Sequence, residues 1–144
     1  MQAVIFDIDE TMFGAGNTLQ EGLADLLALL HRLGLKLAAV SADDHRSLVR
    51  LEEAGIKHYF SSILCSAYTN EPKTPAGIKR LLTELQAEPH HVALVSQAHR
   101  DIHLGKEIGL KTIGVSSGSH TDKLRQAGAD HVVSDMPSVL DVLE

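Results

Sequence analysis

Apolar residues fall into two rhythms along this chain. Short, nearly unbroken runs occur at Ala3–Phe6, Leu37–Val40, Ile63–Ser66, Val92–Val95, Thr112–Val115 and, shorter, His131–Val133. Runs of this length, rich in Val, Ile and Ala, predict strands buried on both faces. Between them apolar positions return at helical spacing, as Leu23, Leu26, Leu27 and Leu30, and again as Ile78, Leu81, Leu82 and Leu85. Four junctions share one form, a helical stretch, then a glycine, then an apolar run, at Gly34, Gly55, Gly109 and Gly128. Glycine just past a helix supplies the left-handed residue that ends it. Thr18-Leu19-Gln20-Glu21 has the form of a capping box, and Thr74-Pro75 sets an N-cap before a first-turn proline. Strands alternating with helices predict an α/β fold: one doubly wound, Rossmann-like domain over residues 1–144, with a central parallel sheet of five to six strands flanked by helices.

Composition adds limits. A chain of 144 residues, 44% hydrophobic and 22% charged, is an ordinary globular length and mix for one domain. The formal net charge is −6, and the 13 lysines and arginines are scattered, so no nucleic acid is expected as a partner. A lone cysteine, Cys65, lies in an apolar run and reads as a buried thiol, which suits a reducing compartment. No apolar stretch is long enough to span a bilayer, and a strand starting almost at Met1 leaves no room for a signal peptide. A cytoplasmic protein without a membrane partner is expected.

Chemistry is concentrated at one place. The first strand runs into Asp7-Ile8-Asp9-Glu10-Thr11, two carboxylates spaced i, i+2. Ligands of open parallel sheets bind at the carboxyl ends of the strands. Two acids there repel unless a cation lies between them or one holds a proton. The following Phe13-Gly14-Ala15-Gly16-Asn17 is glycine-rich and unhelical, so no helix start calls for these acids as caps. Ser41 ends the second run, where a hydroxyl can hydrogen-bond a phosphate oxygen, although Val-Ser also recurs at 95–96, 115–116 and 133–134. Lys73 precedes the Thr74-Pro75 helix start, close to where an anion is favoured. Asp101 follows the fourth run and suits the first turn of the next helix.

The order of these groups resembles the haloacid dehalogenase superfamily of phosphatases and related enzymes, over nearly the whole chain. The Asp-x-Asp-x-Thr of Asp7, Asp9 and Thr11 carries the resemblance most specifically, followed by Ser41, Lys73-Thr74-Pro75 and the segment Ser96-Gln97-Ala98-His99-Arg100-Asp101. The resemblance implies a phosphohydrolase acting on a phosphorylated small molecule or macromolecule. Asp7 would be the nucleophile that becomes an aspartyl-phosphate, and Asp9 the acid for the leaving group and then the base for water. Ser41 and Lys73 would bind phosphoryl oxygens. Mg²⁺ would be held by Asp7 and the Asp9 main-chain carbonyl, with Gln97 and Asp101 at the remaining metal positions.

Two departures from the family pattern matter. Its fourth motif reads Gly-Asp-x-x-x-Asp, and here Ser96-Gln97 replaces Gly-Asp, so a formal charge is missing beside the metal. Losing even a group behind the metal ligands costs about 10–100-fold in affinity or activity. His99 and His103, spaced i, i+4, offer a possible site for a softer divalent ion. Secondly, only a short loop and one helix separate Asp7 from Ser41, so no cap domain is expected. Met12 and Phe13, read as exposed apolar residues beside the loop, would then contact a second copy in a homo-oligomer. Two readings stay open: a capless phosphatase, or a catalytically impaired relative kept as a binding module. A two-component receiver domain ranks below both, because the third strand would end at Ser66 where a receiver presents its phosphorylated aspartate.

Overall fold

The computed structural model describes residues 1–143. Six strands appear: β1 (Ala3–Asp7), β2 (Lys36–Val40), β3 (Ser62–Leu64), β4 (Val92–Ser96), β5 (Lys111–Val115) and β6 (His131–Val133). All pairings are parallel, in the order β3-β2-β1-β4-β5-β6. Five helices connect them: α1 (Leu23–Arg32), α2 (His45–Glu53), α3 (Pro75–Leu85), α4 (His99–Ile108) and α5 (Thr121–Gln126). The expected doubly wound α/β fold is therefore present, at the upper end of the expected strand number.

Both faces of the sheet are covered, and β1 displays why its sequence is apolar throughout. Val4 and Phe6 enter a cluster with Leu23, Leu27 and Leu30 of α1, whereas Ala3 and Ile5 enter one with Ile78, Leu81 and Leu85 of α3. Successive side chains of a strand point to opposite faces, so a central strand between two helix layers has no polar side. The four glycines that end helices all have positive φ, from 74° at Gly55 to 101° at Gly128. Thr74 caps α3 as its spacing predicts, its Oγ1 accepting from Gly77 N at 3.1 Å, with Pro75 in the first turn.

The structure corrects three expectations. Thr18–Glu21 forms no capping box: α1 starts at Leu23 behind Gly22, which has φ 81° and no side-chain cap. The residues of that pattern are used otherwise, since Leu19 pairs antiparallel with Phe13 and Gln20 N donates to Met12 O at 2.8 Å. Met12 and Phe13 are not exposed. Both lie in the α1-side core, at 0% and 7% exposure, so they offer nothing to a second copy. Finally, β3 covers Ser62–Leu64 rather than Ile63–Ser66, because this edge strand pairs only with β2 and the chain turns at Cys65, whose carbonyl accepts from Tyr68 N. Cys65 itself is buried, as expected.

Candidate active site

β1 pairs with β2 on one side and β4 on the other, so the chain order reverses beside it. This switch point leaves a crevice outside the strand ends. Asp7, last residue of β1, is fully buried there. Its Oδ2 accepts from Thr11 Oγ1 at 2.8 Å and from Glu10 N at 3.1 Å, which fixes the plane of the carboxylate. Its Oδ1 accepts from Lys73 Nζ at 2.5 Å. Asp9 leans the other way, toward the end of β2. Its Oδ1 accepts from Ser41 Oγ, and its Oδ2 accepts from Ala42 N at 2.9 Å. The Ser41 hydroxyl in turn accepts from Asp43 N, so its one proton is committed to Asp9.

Lys73 joins the halves. It comes from the segment just before α3, and its ammonium also lies 3.1 Å from Asp101 Oδ2 and 3.6 Å from Asp9 Oδ2. Asp101, in the first turn of α4, accepts from Ser96 Oγ at 2.9 Å as well. Three carboxylates thus converge on one ammonium. Burial alone would lower the Lys73 pKa, but the charges of Asp7 and Asp101 outweigh it and hold the ammonium well above its ordinary value. Asp101 goes the opposite way from a simple ion pair. Burial, helped by the negative charge of Asp7, pushes its carboxyl up despite the nearby Lys73.

Of the residues singled out from sequence, Asp7, Lys73 and Asp101 are joined by hydrogen bonds, Asp9 and Ser41 by another, and the Lys73–Asp9 ion pair links the two into one network. Gln97 joins it only through its backbone, N donating to Thr11 Oγ1 at 2.9 Å. Its side chain is half-buried and lines a neighbouring cleft with Glu10 and His120. Two further partners were named in the sequence only as members of a motif, with no role assigned. Thr11 bridges β1 to the end of β4, and Ser96 supports Asp101; only the strand-end position of Ser96 hinted at a role. A cavity of about 250 Å³ opens over the network, lined by Asp9, Glu10, Lys73, Arg100 and Asp101 among others.

The donor chemistry suits a hard divalent cation. Every side-chain ligand candidate in the network is an oxygen, and three carboxylates lie around the Lys73 ammonium, at 2.5, 3.1 and 3.6 Å. The His99–His103 pair differs. Both line a cleft beside Arg100 and Lys123 with no carboxylate. The described residues include no group of three or more His, Cys, Asp or Glu placed to hold a metal, the three carboxylates around Lys73 included, so a cation there would also draw on main-chain and amide oxygens. No helix among the described residues is long and apolar enough to cross a membrane.

Comparison with known proteins agrees with this architecture. The chain is 28% identical over 126 residues to a pyrophosphatase PpaX of Halalkalibacterium halodurans, covering 85% of this chain and 59% of that one. It is 27% identical over 117 residues to a phosphoglycolate phosphatase of Vibrio cholerae, covering 79% and 52%. The chain therefore spans between half and three fifths of the length of these relatives. Among solved structures, a HAD-superfamily hydrolase of Geobacter sulfurreducens superposes with a TM-score of 0.83 at 13% identity, covering 100% of this chain and 97% of that one, a likeness of fold. The family model described as haloacid dehalogenase-like hydrolase matches residues 16–115, which take in Ser41, Lys73, Gln97 and Asp101 and begin after the Asp7–Thr11 segment. The chain belongs to the haloacid dehalogenase-like hydrolase family.

Proposed function

We propose that this protein is a phosphohydrolase that cleaves phosphomonoesters or phosphoanhydrides through an aspartyl-phosphate on Asp7. The observation that carries this reading is the buried Asp7 carboxylate, oriented by Thr11 and Glu10 N and meeting Lys73 at a sheet switch point. Two donors hold Oδ2, so Oδ1 is the oxygen free to attack once Lys73 moves onto the incoming phosphoryl group. Attack forms the Oδ1–phosphorus bond and breaks the bond to the leaving oxygen, which takes a proton from the Asp9 carboxyl. Asp9, now a carboxylate, then removes a proton from water. That water displaces Asp7 from phosphorus and releases inorganic phosphate. Ser41 must turn its proton from Asp9 to a phosphoryl oxygen, which frees the Asp9 carboxyl at the moment of use. Lys73 neutralises the phosphoryl charge throughout.

Mg²⁺ fits the donor set. It would be held by the Asp7 carboxylate and the Asp9 carbonyl, with Asp101 and the Gln97 amide oxygen beside them, and when bound it supplies positive charge to the phosphoryl oxygens. Both relatives named above are phosphatases of small phosphorylated molecules by name, which supports the same substrate class here. The buried single thiol and the absence of a membrane-crossing helix among the described residues are in keeping with a cytoplasmic site of action.

Hydrolysis of an aryl phosphate by the purified protein, with Mg²⁺ or with EDTA, tests the proposal beside an Asp7→Asn control. Metal-dependent turnover that disappears in the control is expected. The glutamine at position 97 favours one other reading, a binding module with a weakened metal site. In that case the unaltered chain is inactive and Gln97→Asp brings turnover back.

A further inference from the structure

The cavity over Asp9, Lys73 and Asp101, at about 250 Å³, is smaller than the roughly 300–1,000 Å³ of typical small-molecule sites. That leaves room for a phosphoryl group, and the rest of a substrate would extend outward. One way out is lined with positive charge. Arg100 borders that cavity and also borders a cleft of about 230 Å³ lined by His99, His120 and Lys123, with Glu10 its one carboxylate. Arg100, His99 and Lys123 continue into a wider groove between α4 and α5, of about 540 Å³, which contains no carboxylate.

This concentration is unexpected in a chain of net charge −6. Several other basic side chains of the surface serve structural pairs, as Arg46 with Asp43, Lys57 with Glu52, Arg80 with Glu84 and Lys106 with Asp130. Arg100 and Lys123 are exposed and make no ion pair among the described residues. Their charge is left available. The amino-terminal end of α4, without a side-chain cap, lies at the same spot and adds its positive dipole.

We propose that Arg100 and Lys123, with His99 and His120 beside them, form a second anion subsite that selects substrates whose leaving group carries its own phosphate or carboxylate. The inference rests on the phosphohydrolase reading for the placement of the first phosphoryl group, and it deepens that reading by naming the substrate class. Arg100 is the bidentate element, because its fork suits a planar pair of oxygens, and Lys123 acts as a point charge.

Titration calorimetry of the full chain with methylenediphosphonate, a non-hydrolysable molecule bearing two anionic groups, tests this without turnover. Prior passage of protein and ligand over a chelating resin keeps metal chelation out of the signal without adding a competing polyanion. Lys123→Ala and Arg100→Ala are each expected to weaken binding about 10-fold, Lys123→Arg to restore most of it, and Lys79→Ala, far from the cleft, to leave it within twofold. Failure of the unaltered protein to bind the diphosphonate, or alanine variants that bind within twofold of it, would overturn the subsite. The aryl phosphate assay reads the phosphohydrolase proposal separately, since that substrate has no second anion.

Discussion

At the scale of single residues, Lys73 decides most of what the site can be. Among the described residues it is the one cation paired with Asp7, Asp9 and Asp101, and its side chain is only 19% exposed. Removing one partner of a buried charge cluster costs about 3–5 kcal/mol, because the remaining charges lose their compensation. Lys73→Met is therefore expected to lower the unfolding free energy measured in urea by that amount, and a second change, Asp7→Asn, to recover part of it by removing an orphaned carboxylate. The same variant should push the Asp101 carboxyl higher still, since the Lys73 charge is among the influences that lower it. A carboxyl-selective NMR titration checks this, and an unmoved Asp101 would show that Lys73 does not set its field. Much of this cluster was legible from strand-end positions and motif order. What was not legible is which oxygen each donor takes. The sequence does not show that Ser41 Oγ donates to Asp9 here, nor that Thr11 ties the end of β1 to the end of β4. Those are tertiary facts, set by how three strand ends meet.

Elements transmit position to these residues. Gly77 in the first turn of α3 shows how tightly. A Cβ built there would lie 2.2 Å from the Pro72 carbonyl oxygen, which is backbone and cannot swing aside. Gly77→Ala must displace the segment that carries Lys73. A loss of about 1–3 kcal/mol from overpacking is expected. Activity should fall further, by about 100-fold, the usual consequence of misplacing a catalytic group by an ångström. Measuring kcat alongside a melt separates the two effects. On the far side of the sheet, Asp130 joins three elements by accepting from Thr112 N at 2.8 Å and from Lys106 Nζ at 2.9 Å. Burial would raise its pKa, but these bonds outweigh burial and hold it below the ordinary 3.8. A depressed carboxylate contributes stability that is full above 3.8 and is lost as pH falls through the folded value. Asp130→Asn is thus expected to cost about 1 kcal/mol at neutral pH, screening included, and to flatten the acid limb of a pH series of urea melts. Helix ends with a local cause were legible, as at Thr74 and the four glycines. The start of α1 was not, because the Thr18–Glu21 pattern is overridden by the bridge from Phe13 to Leu19 and by Gly22.

Across the whole molecule, the layer order follows from the sequence because each strand carries its own two-sided burial pattern. The closing segment does not, since nothing periodic follows Val133. There the chain makes a 3₁₀ turn over Pro137–Val142, and Met136, Val139 and Leu143 enter the core at no more than 4% exposure. They share a cluster with Met12 and Phe13 of the loop after Asp9 and with the leucines of α1, so the last residues of the fold brace the loop that follows the site. Pro137 presses on Gly22, where a Cβ would meet its Cγ at 2.6 Å, and this contact accounts for a glycine at the entrance to α1. Val139 is fully buried yet distant from the carboxylate network, which makes it the right probe of bracing as distinct from chemistry. Val139→Ala should cost about 2 kcal/mol through lost burial and the cavity left behind. For a domain of this size that lowers Tm by about 4–8 °C. Well below the melt, diphosphonate binding and any turnover should stay near those of the unaltered chain if the segment only adds stability. If it also holds the loop in register, both fall while the fold remains intact by circular dichroism. The shared cluster favours the second outcome, because Met12 is fully buried against the same neighbours and leads straight back through Thr11 to Asp7.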